Sequence, residues 1–160
     1  MKIPLSIKSK RDINAKSCDG CTKCCEGWLS AEINGEPMYP GKPCLHVNEG
    51  VGCNIYKDRP VEPCRNFECF WKASKIMPME FKPSEVGVII SNQQINRIPY
   101  LLLSEAGNTV PANVLSWFLQ WIFTNQLNAQ WQIGETFHAF GSNEFLAALA
   151  RREAAHKKDK

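Results

Sequence analysis

The chain has 160 residues, 44% hydrophobic and 22% charged, with ten glycines and ten prolines, a profile that predicts one ordinary soluble domain. At this length folding buries roughly 70% of the unfolded surface, so the eight cysteines are not needed as staples. Nineteen Lys and Arg against sixteen Asp and Glu give a formal +3 with every thiol counted as neutral, too weak a balance to argue for nucleic acid.

The opening stretch breaks its apolar content at Pro4 and Ser6 and reaches a charge at Lys8, so no signal-peptide core of about 7–15 residues is expected. The later apolar run Val114 to Phe123 is interrupted by Ser116 and Gln120 and falls short of the roughly 20 residues a membrane span requires. The expected setting is therefore the cytoplasm, with no membrane contact. Reduced thiols that cluster there point to metal ligands, and an exported, disulfide-bonded domain is the least favoured alternative.

All eight cysteines lie between Cys18 and Cys69, at a local density of about 15%, above the roughly 8–10% typical of a disulfide scaffold. Cys18, Cys21, Cys24 and Cys25 form the run C-x2-C-x2-C-C. Two-residue spacers let successive thiolates turn toward one centre, as in zinc loops and iron–sulfur sites. Cys44, Cys53, Cys64 and Cys69 follow singly, beside turn residues such as Pro43, Gly52 and Pro63. On an extended backbone the adjacent Cys24 and Cys25 would point to opposite sides, which favours two centres over one. The expected partition gives Cys18, Cys21, Cys24 and one distant cysteine to an iron–sulfur cluster and up to four others to a second metal. Spacing alone does not assign the distant ones.

With its Pro43-Cys44-Leu45, Gly52-Cys53, Ile55-Tyr56-Lys57-Asp58-Arg59-Pro60, Cys64-Arg65-Asn66-Phe67 and Cys69 segments, this region resembles the CxxCxxCC cysteine-cluster family, described as zinc- or iron-chelating proteins. The resemblance covers about residues 18–70 and implies a metal site. A related cluster occurs in flagellin lysine methylases, linked there to an iron–sulfur centre, and that likeness favours iron. A complete methyltransferase is not expected, because the chain is short and shows no Gly-rich cofactor loop.

Arg59 and Arg65 are candidate cofactor-binding residues. Four thiolates around Zn²⁺ or a [4Fe–4S]²⁺ core leave a net charge of about −2, which a guanidinium would offset. The competing reading pairs them with Asp58, Glu62 or Glu68. His46 is a weaker candidate ligand, His138 reads as a core or interface histidine, and His156 as part of an exposed tail. Phe67, Phe70, Trp71, Lys72 and Arg65 could stack on bases, but a hydrophobic wrap around a metal is the more economical reading.

Beyond residue 83 the composition changes. From Ser84 to Ala150 the one basic residue is Arg97, and bulky apolar side chains dominate. Val86–Ile90 and Ile98–Leu103 read as a hairpin across the polar Ser91–Arg97, with Pro99 demoting the second run to an edge or a late start. Pro111 opens a buried helix carrying Val114, Trp117, Phe118, Trp121 and Ile122, with Trp117 and Trp121 read as core. Trp131 to Phe140 gives a weaker strand signal. Ser142 can cap a last helix running to Arg152, followed by a frayed basic tail at 153–160.

The expected architecture is one α+β domain over residues 1–160. A loop-rich cysteine and metal knot (18–70) packs on a C-terminal unit (84–152) of a β-hairpin and two helices. No catalytic motif is visible. The expected function is a metal-binding protein whose eight cysteines hold an iron–sulfur cluster, [4Fe–4S] in type, and/or zinc. It would serve electron transfer, redox sensing or a protein-modifying system with a protein partner, and any enzymatic role would depend on the cluster. The alternative is a structural-zinc interaction module without activity.

Overall fold

The computed structural model of the protein describes residues 16–158. The opening stretch on which the signal-peptide expectation rests, together with Asp159 and Lys160, lies outside the described residues. The architecture is mixed α+β, with small hairpins in the cysteine-rich region and a larger sheet beyond it.

β1 (Ala31–Ile33) and β2 (Glu36–Met38) pair around Asn34-Gly35, where both residues have positive φ (53° and 83°), the geometry tight hairpin turns ask of Asn and Gly. β3 (Val47–Asn48) and β4 (Gly52–Cys53) form a second, shorter hairpin. The one-turn helices α1 (Phe70–Ala73) and α2 (Pro83–Val86) lead into the main sheet and pack against its first strand. That sheet is β5 (Val88–Ile95), β6 (Ile98–Glu105), β7 (Ala129–Ile133) and β8 (Thr136–Phe140), adjacent in that order. α3 (Ala112–Thr124) is the crossover that lets β7 run parallel to β6, while the other pairs are antiparallel. α4 spans Asn143–Lys158.

Several expectations are corrected here. Ser91 to Ile95 continue β5, and the turn shrinks to Asn96-Arg97, both at positive φ (49° and 67°). The outer amide side chains hydrate while their backbone pairs with β6, so polarity does not mark a loop. β6 is an interior strand despite Pro99. It pairs with β7 only at Leu101–Leu103, so the missing N–H of the proline faces no ladder on that side. Trp131 to Phe140 holds two strands, separated at Gly134-Glu135. Pro111 precedes the first turn of α3 as its cap residue. α4 continues past Arg152, so the described part of the basic tail is helical.

The core divides about the sheet. On α3, Val114, Phe118 and Ile122 recur at helical spacing, are 0% exposed, and meet Leu101, Leu103, Ala129 and Trp131. Alternation sends Tyr100 and Leu102 to the opposite face, where Phe145, Ala148 and Leu149 of α4 cover them. Arg152 fastens that helix, donating to the Tyr100 hydroxyl (3.2 Å) and Gln130 Oε1 (3.0 Å). Among the described residues no helix is long and apolar enough to cross a membrane.

Candidate metal centre

The cysteine loops are shaped by short backbone hydrogen bonds. The Cys21 amide donates to the Cys18 carbonyl (2.8 Å), and the Cys25 amide to the Thr22 carbonyl (2.8 Å), closing a 3₁₀ turn over Lys23–Cys25. Gly27 follows with φ +88°, where an added Cβ would stand 2.5 Å from the Tyr39 carbonyl oxygen. Only glycine lets the loop pass this close to the Tyr39–Lys42 bridge. The Cys44 amide then donates to the Cys25 carbonyl (2.9 Å), and the β3–β4 register sets Cys53 opposite Val47. The Gly50 amide donates to Thr22 Oγ1 (2.9 Å), tying the β3–β4 turn to the first cysteine loop.

Cys24 and Cys25 face different neighbours. Cys24 acts most strongly on Cys69, which lies in the α3-side core at the start of α1. The interaction with Cys24 leads the effects lowering the Cys69 thiol to about 7, with burial opposing it and the Lys72 and Trp71 amides adding to it. The two amides face the sulfur without closing a helix-capping bond. Cys24 is pushed up in turn, by Cys69 first and then by burial. Burial, then the neighbouring Cys69, raises Cys18, while Lys72 pulls it down. Cys25 is pushed up to about 12 by burial and by Cys44, Cys53 and Cys64, with a smaller effect from Cys18. Burial, Cys44 and Cys53 likewise raise Cys64, against the charge of Arg59. Two overlapping neighbourhoods emerge: Cys24 is affected most by Cys69, with Cys25 and Cys21 also acting on it, and Cys25 most by Cys44, Cys53 and Cys64, with Cys18 adding a smaller effect. All eight cysteines are free of disulfides. Among the described residues, no group of three or more Cys, His, Asp or Glu side chains is arranged so that it could hold a metal ion.

The two neighbourhoods differ in surroundings. Cys69 is buried with Trp71, and Cys24, Phe67 and Phe70 pack against the same core. Trp71, 2% exposed and hydrogen-bonded through Nε1 to the Pro78 and Met79 carbonyls, is closed to stacking on an outside ring. From Tyr39 to Glu68, by contrast, no residue is buried. Leu45, Val51, Tyr56 and Val61 lie exposed around the second set.

The arginines form none of the ion pairs weighed for them. Among the described residues the salt bridges are Lys23–Glu26 (2.8 Å) and Lys42–Glu36 (3.6 Å). Arg59 lies over the Tyr56 ring at 4.0 Å and acts electrostatically on Cys64. Arg65 donates to the carbonyls of Arg59 (2.8 Å) and Lys57 (3.1 Å), clamping the turn before Cys64. The His46 amide points to the Cys44 sulfur (3.5 Å). His138 is exposed on β8 and stacks on Trp131, which corrects its core reading, because β8 is the uncovered edge of the sheet. His156 is exposed on α4. Trp117 and Trp121 stack on each other, half-buried beside the core.

Sequence reasoning missed Lys16. Its ammonium is buried and donates to the Ser74 (2.6 Å) and Met77 (2.7 Å) carbonyls, close enough to Cys69 to feel its charge. A lone lysine ahead of the first cysteine carries no motif, so no sequence signal could have found it. Comparison with known proteins gave no matching family model, no matching curated protein and no matching solved structure.

Proposed function

We propose that this chain is a cytoplasmic metalloprotein of the cysteine-cluster type with two four-thiolate centres. Cys18, Cys21, Cys24 and Cys69 would hold a [4Fe–4S] cluster, and Cys25, Cys44, Cys53 and Cys64 a zinc ion. The observation that supports the reading is that Cys69 leads the effects on Cys24, whereas Cys44, Cys53 and Cys64 lead those of the other cysteines on Cys25. Neither thiol is raised chiefly by a carboxylate, and all-sulfur donor sets suit zinc and iron–sulfur centres. Cys24 and Cys69 of the first set have the apolar surroundings that favour a cluster, while Cys18 is exposed; the second set has the core-free loops that a structural ion organises. When bound, the cluster supplies one-electron redox chemistry. The chain's own residues hold it, exclude water through Phe67, Phe70 and Trp71, and offset its charge through Lys16 and Lys72. Electron transfer, redox sensing, or service to a protein-modifying system through a protein partner are the roles this reading supports. Arg59 would serve the second centre directly, and Arg65 by fixing the turn before Cys64.

Iron, sulfide and zinc analysis of anaerobically isolated protein, with its visible spectrum, tests the proposal. Brown protein is expected, with C24S losing iron and colour and C25S losing zinc. Colourless protein that lacks iron and sulfide and takes up none on reconstitution would overturn the cluster assignment. The second reading, structural zinc in both sets, is favoured by the unburied segment 39–68. It predicts two zinc ions, no colour, and unfolding on chelation.

A further inference from the structure

β8 closes one side of the main sheet, and the ladder tells which of its backbone groups face outward. The Leu101 amide donates to the Asn128 carbonyl (3.0 Å), which turns the backbone groups of Asn128, Gln130 and Gln132 toward β6 and those of Ala129, Trp131 and Ile133 toward β8. The register sets these last three opposite Phe140, His138 and Thr136. The N–H and C=O groups of Phe137 and Ala139 therefore point away from the sheet, and among the described residues they have no backbone hydrogen-bond partner.

Sheet edges open to solvent are ordinarily blunted by a lysine, a proline or a bulge, because a row of free N–H and C=O groups is a template for another strand. β8 has none of these devices. Thr136-Phe137-His138-Ala139-Phe140 contains no Pro, Lys, Arg, Asp or Glu, and its pairing with β7 runs from Thr136 to Phe140 without an inserted residue. Thr136 to Ala139 are all exposed, and the Phe137 side chain is 56% exposed.

We infer that β8 is a dimer interface: two copies of this chain join their β8 strands antiparallel about a two-fold axis at His138, making one continuous sheet. A second copy fits this edge because the strand is complementary to itself in that register. Phe137 of one copy and Ala139 of the other exchange both backbone bonds, and the two-fold repeats the exchange at the other end, so every outward group is paired. Each phenylalanine meets a smaller residue of the second copy, Phe137 against Ala139 and Phe140 against Thr136. Glu135, beside the strand, falls opposite Gly141, so no like charges face each other across the axis. His138 faces His138 of the second copy in a non-hydrogen-bonded pair, where Cα atoms approach to about 4.5 Å. An edge this short belongs to the weak, reversible class of interfaces that bury less than about 1,200 Å². The inference is independent of the metal centres, since β7 and β8 contain no cysteine.

Sedimentation equilibrium of the full-length protein, as isolated and with reductant present, tests this from about 10 μM to about 0.5 mM, the range in which weak pairs associate. A reversible monomer–dimer equilibrium is expected. Ala139→Pro removes an N–H that the fold leaves outside its own ladder, so it should abolish the dimer without unfolding the sheet. His138→Lys and His138→Asp should each associate more weakly than the unmodified chain. An equimolar mixture of these two should form a heterodimer at least about fivefold tighter than either homodimer, because position 138 faces itself. Native mass spectrometry with one variant ¹⁵N-labelled identifies that heterodimer, and the charge variants carry the test if Ala139→Pro does not fold. A chain that stays monomeric at the highest concentration, as it would if a different protein completed the edge, overturns the inference. So does a dimer indifferent to Ala139→Pro and to the charge at 138, a mixture no tighter than its components, or a dimer that vanishes with reductant. Metal and sulfide content enter none of these outcomes, so failure here is distinguishable from failure of the metal proposal.

Discussion

Replacing Cys53 with serine removes one thiolate from the second set and asks what holds residues 39–68 in place. Ordering a backbone residue costs about 1–2 kcal/mol, and a loop hydrogen bond returns about 0.5–1.5 kcal/mol. In the main sheet the difference is met by burial, at about 1.5–3 kcal/mol for each fully buried apolar side chain, as with Phe118, Ile122 and Leu103 at 0% exposure. Between Tyr39 and Glu68 no side chain is buried, so that contribution is largely missing. A structural zinc ion, at about 10–16 kcal/mol, is of the right size to replace it. Cys53→Ser should therefore release one zinc per chain and abolish amide protection across 39–68, while β5, β6 and β7 keep theirs. Hydrogen exchange read by mass spectrometry, with metal analysis of the same samples, measures both. Protection of 39–68 unchanged in the zinc-free variant would refute the reasoning, as would loss spread evenly into the sheet.

Four further outcomes are expected. Phe118→Ala, in the middle of the buried face of α3, should cost about 3–5 kcal/mol in denaturant unfolding. Gly27→Ala puts a Cβ against the Tyr39 carbonyl at positive φ and should lose more than about 1 kcal/mol, read as a lower thermal midpoint and weaker retention of the second metal. Burial raises the Glu26 carboxyl, but hydrogen bonds from Lys23, Thr22 and Trp28, with the Lys23 charge, hold it below its ordinary 4.5. Its contribution to stability is thus present above that pH and lost as pH falls through the lower folded value, so Glu26→Gln should flatten the acid limb of the stability profile. Lys16→Met should destabilise metal-loaded protein but leave metal-free protein equal or more stable, measured by melting both forms.

The legible parts of the fold were those in which pattern and burial coincide. Val114, Phe118 and Ile122 announced α3 because every member of the stripe is buried. β8 was obscure because it is an edge strand with nearly every side chain exposed, leaving no alternation to read. The Ser91–Gln94 stretch misled because its backbone is paired while its outer side chains meet water. In the cysteine region, adjacency of Cys24 and Cys25 favoured two centres, and the structure gives the two thiols different leading neighbours that still overlap, since Cys25 also acts on Cys24. The neighbours of the distant thiols were not legible, because Cys69 comes beside Cys24 through the placement of α1 on the sheet, a tertiary fact.

Charge is where the two halves of the molecule meet. With all eight thiols ionised around one Zn²⁺ and one [4Fe–4S]²⁺ core, the formal +3 falls to about −1. Most of the change is confined to two small volumes. Four thiolates around the first centre leave about −2 against a core that includes Cys69 and Trp71, a cost that dispersed surface cations would not offset. Under the metal proposal Lys16 would serve that purpose: its ammonium is fixed by two carbonyls, and burial depresses its pKa with only partial relief from Cys69. A buried ammonium held this way is unfavourable when its neighbours are protonated and favourable when they carry charge. The sign of the Lys16→Met effect therefore follows the charge on the thiols, and a reversal of sign between metal-free and loaded protein has no explanation in packing alone.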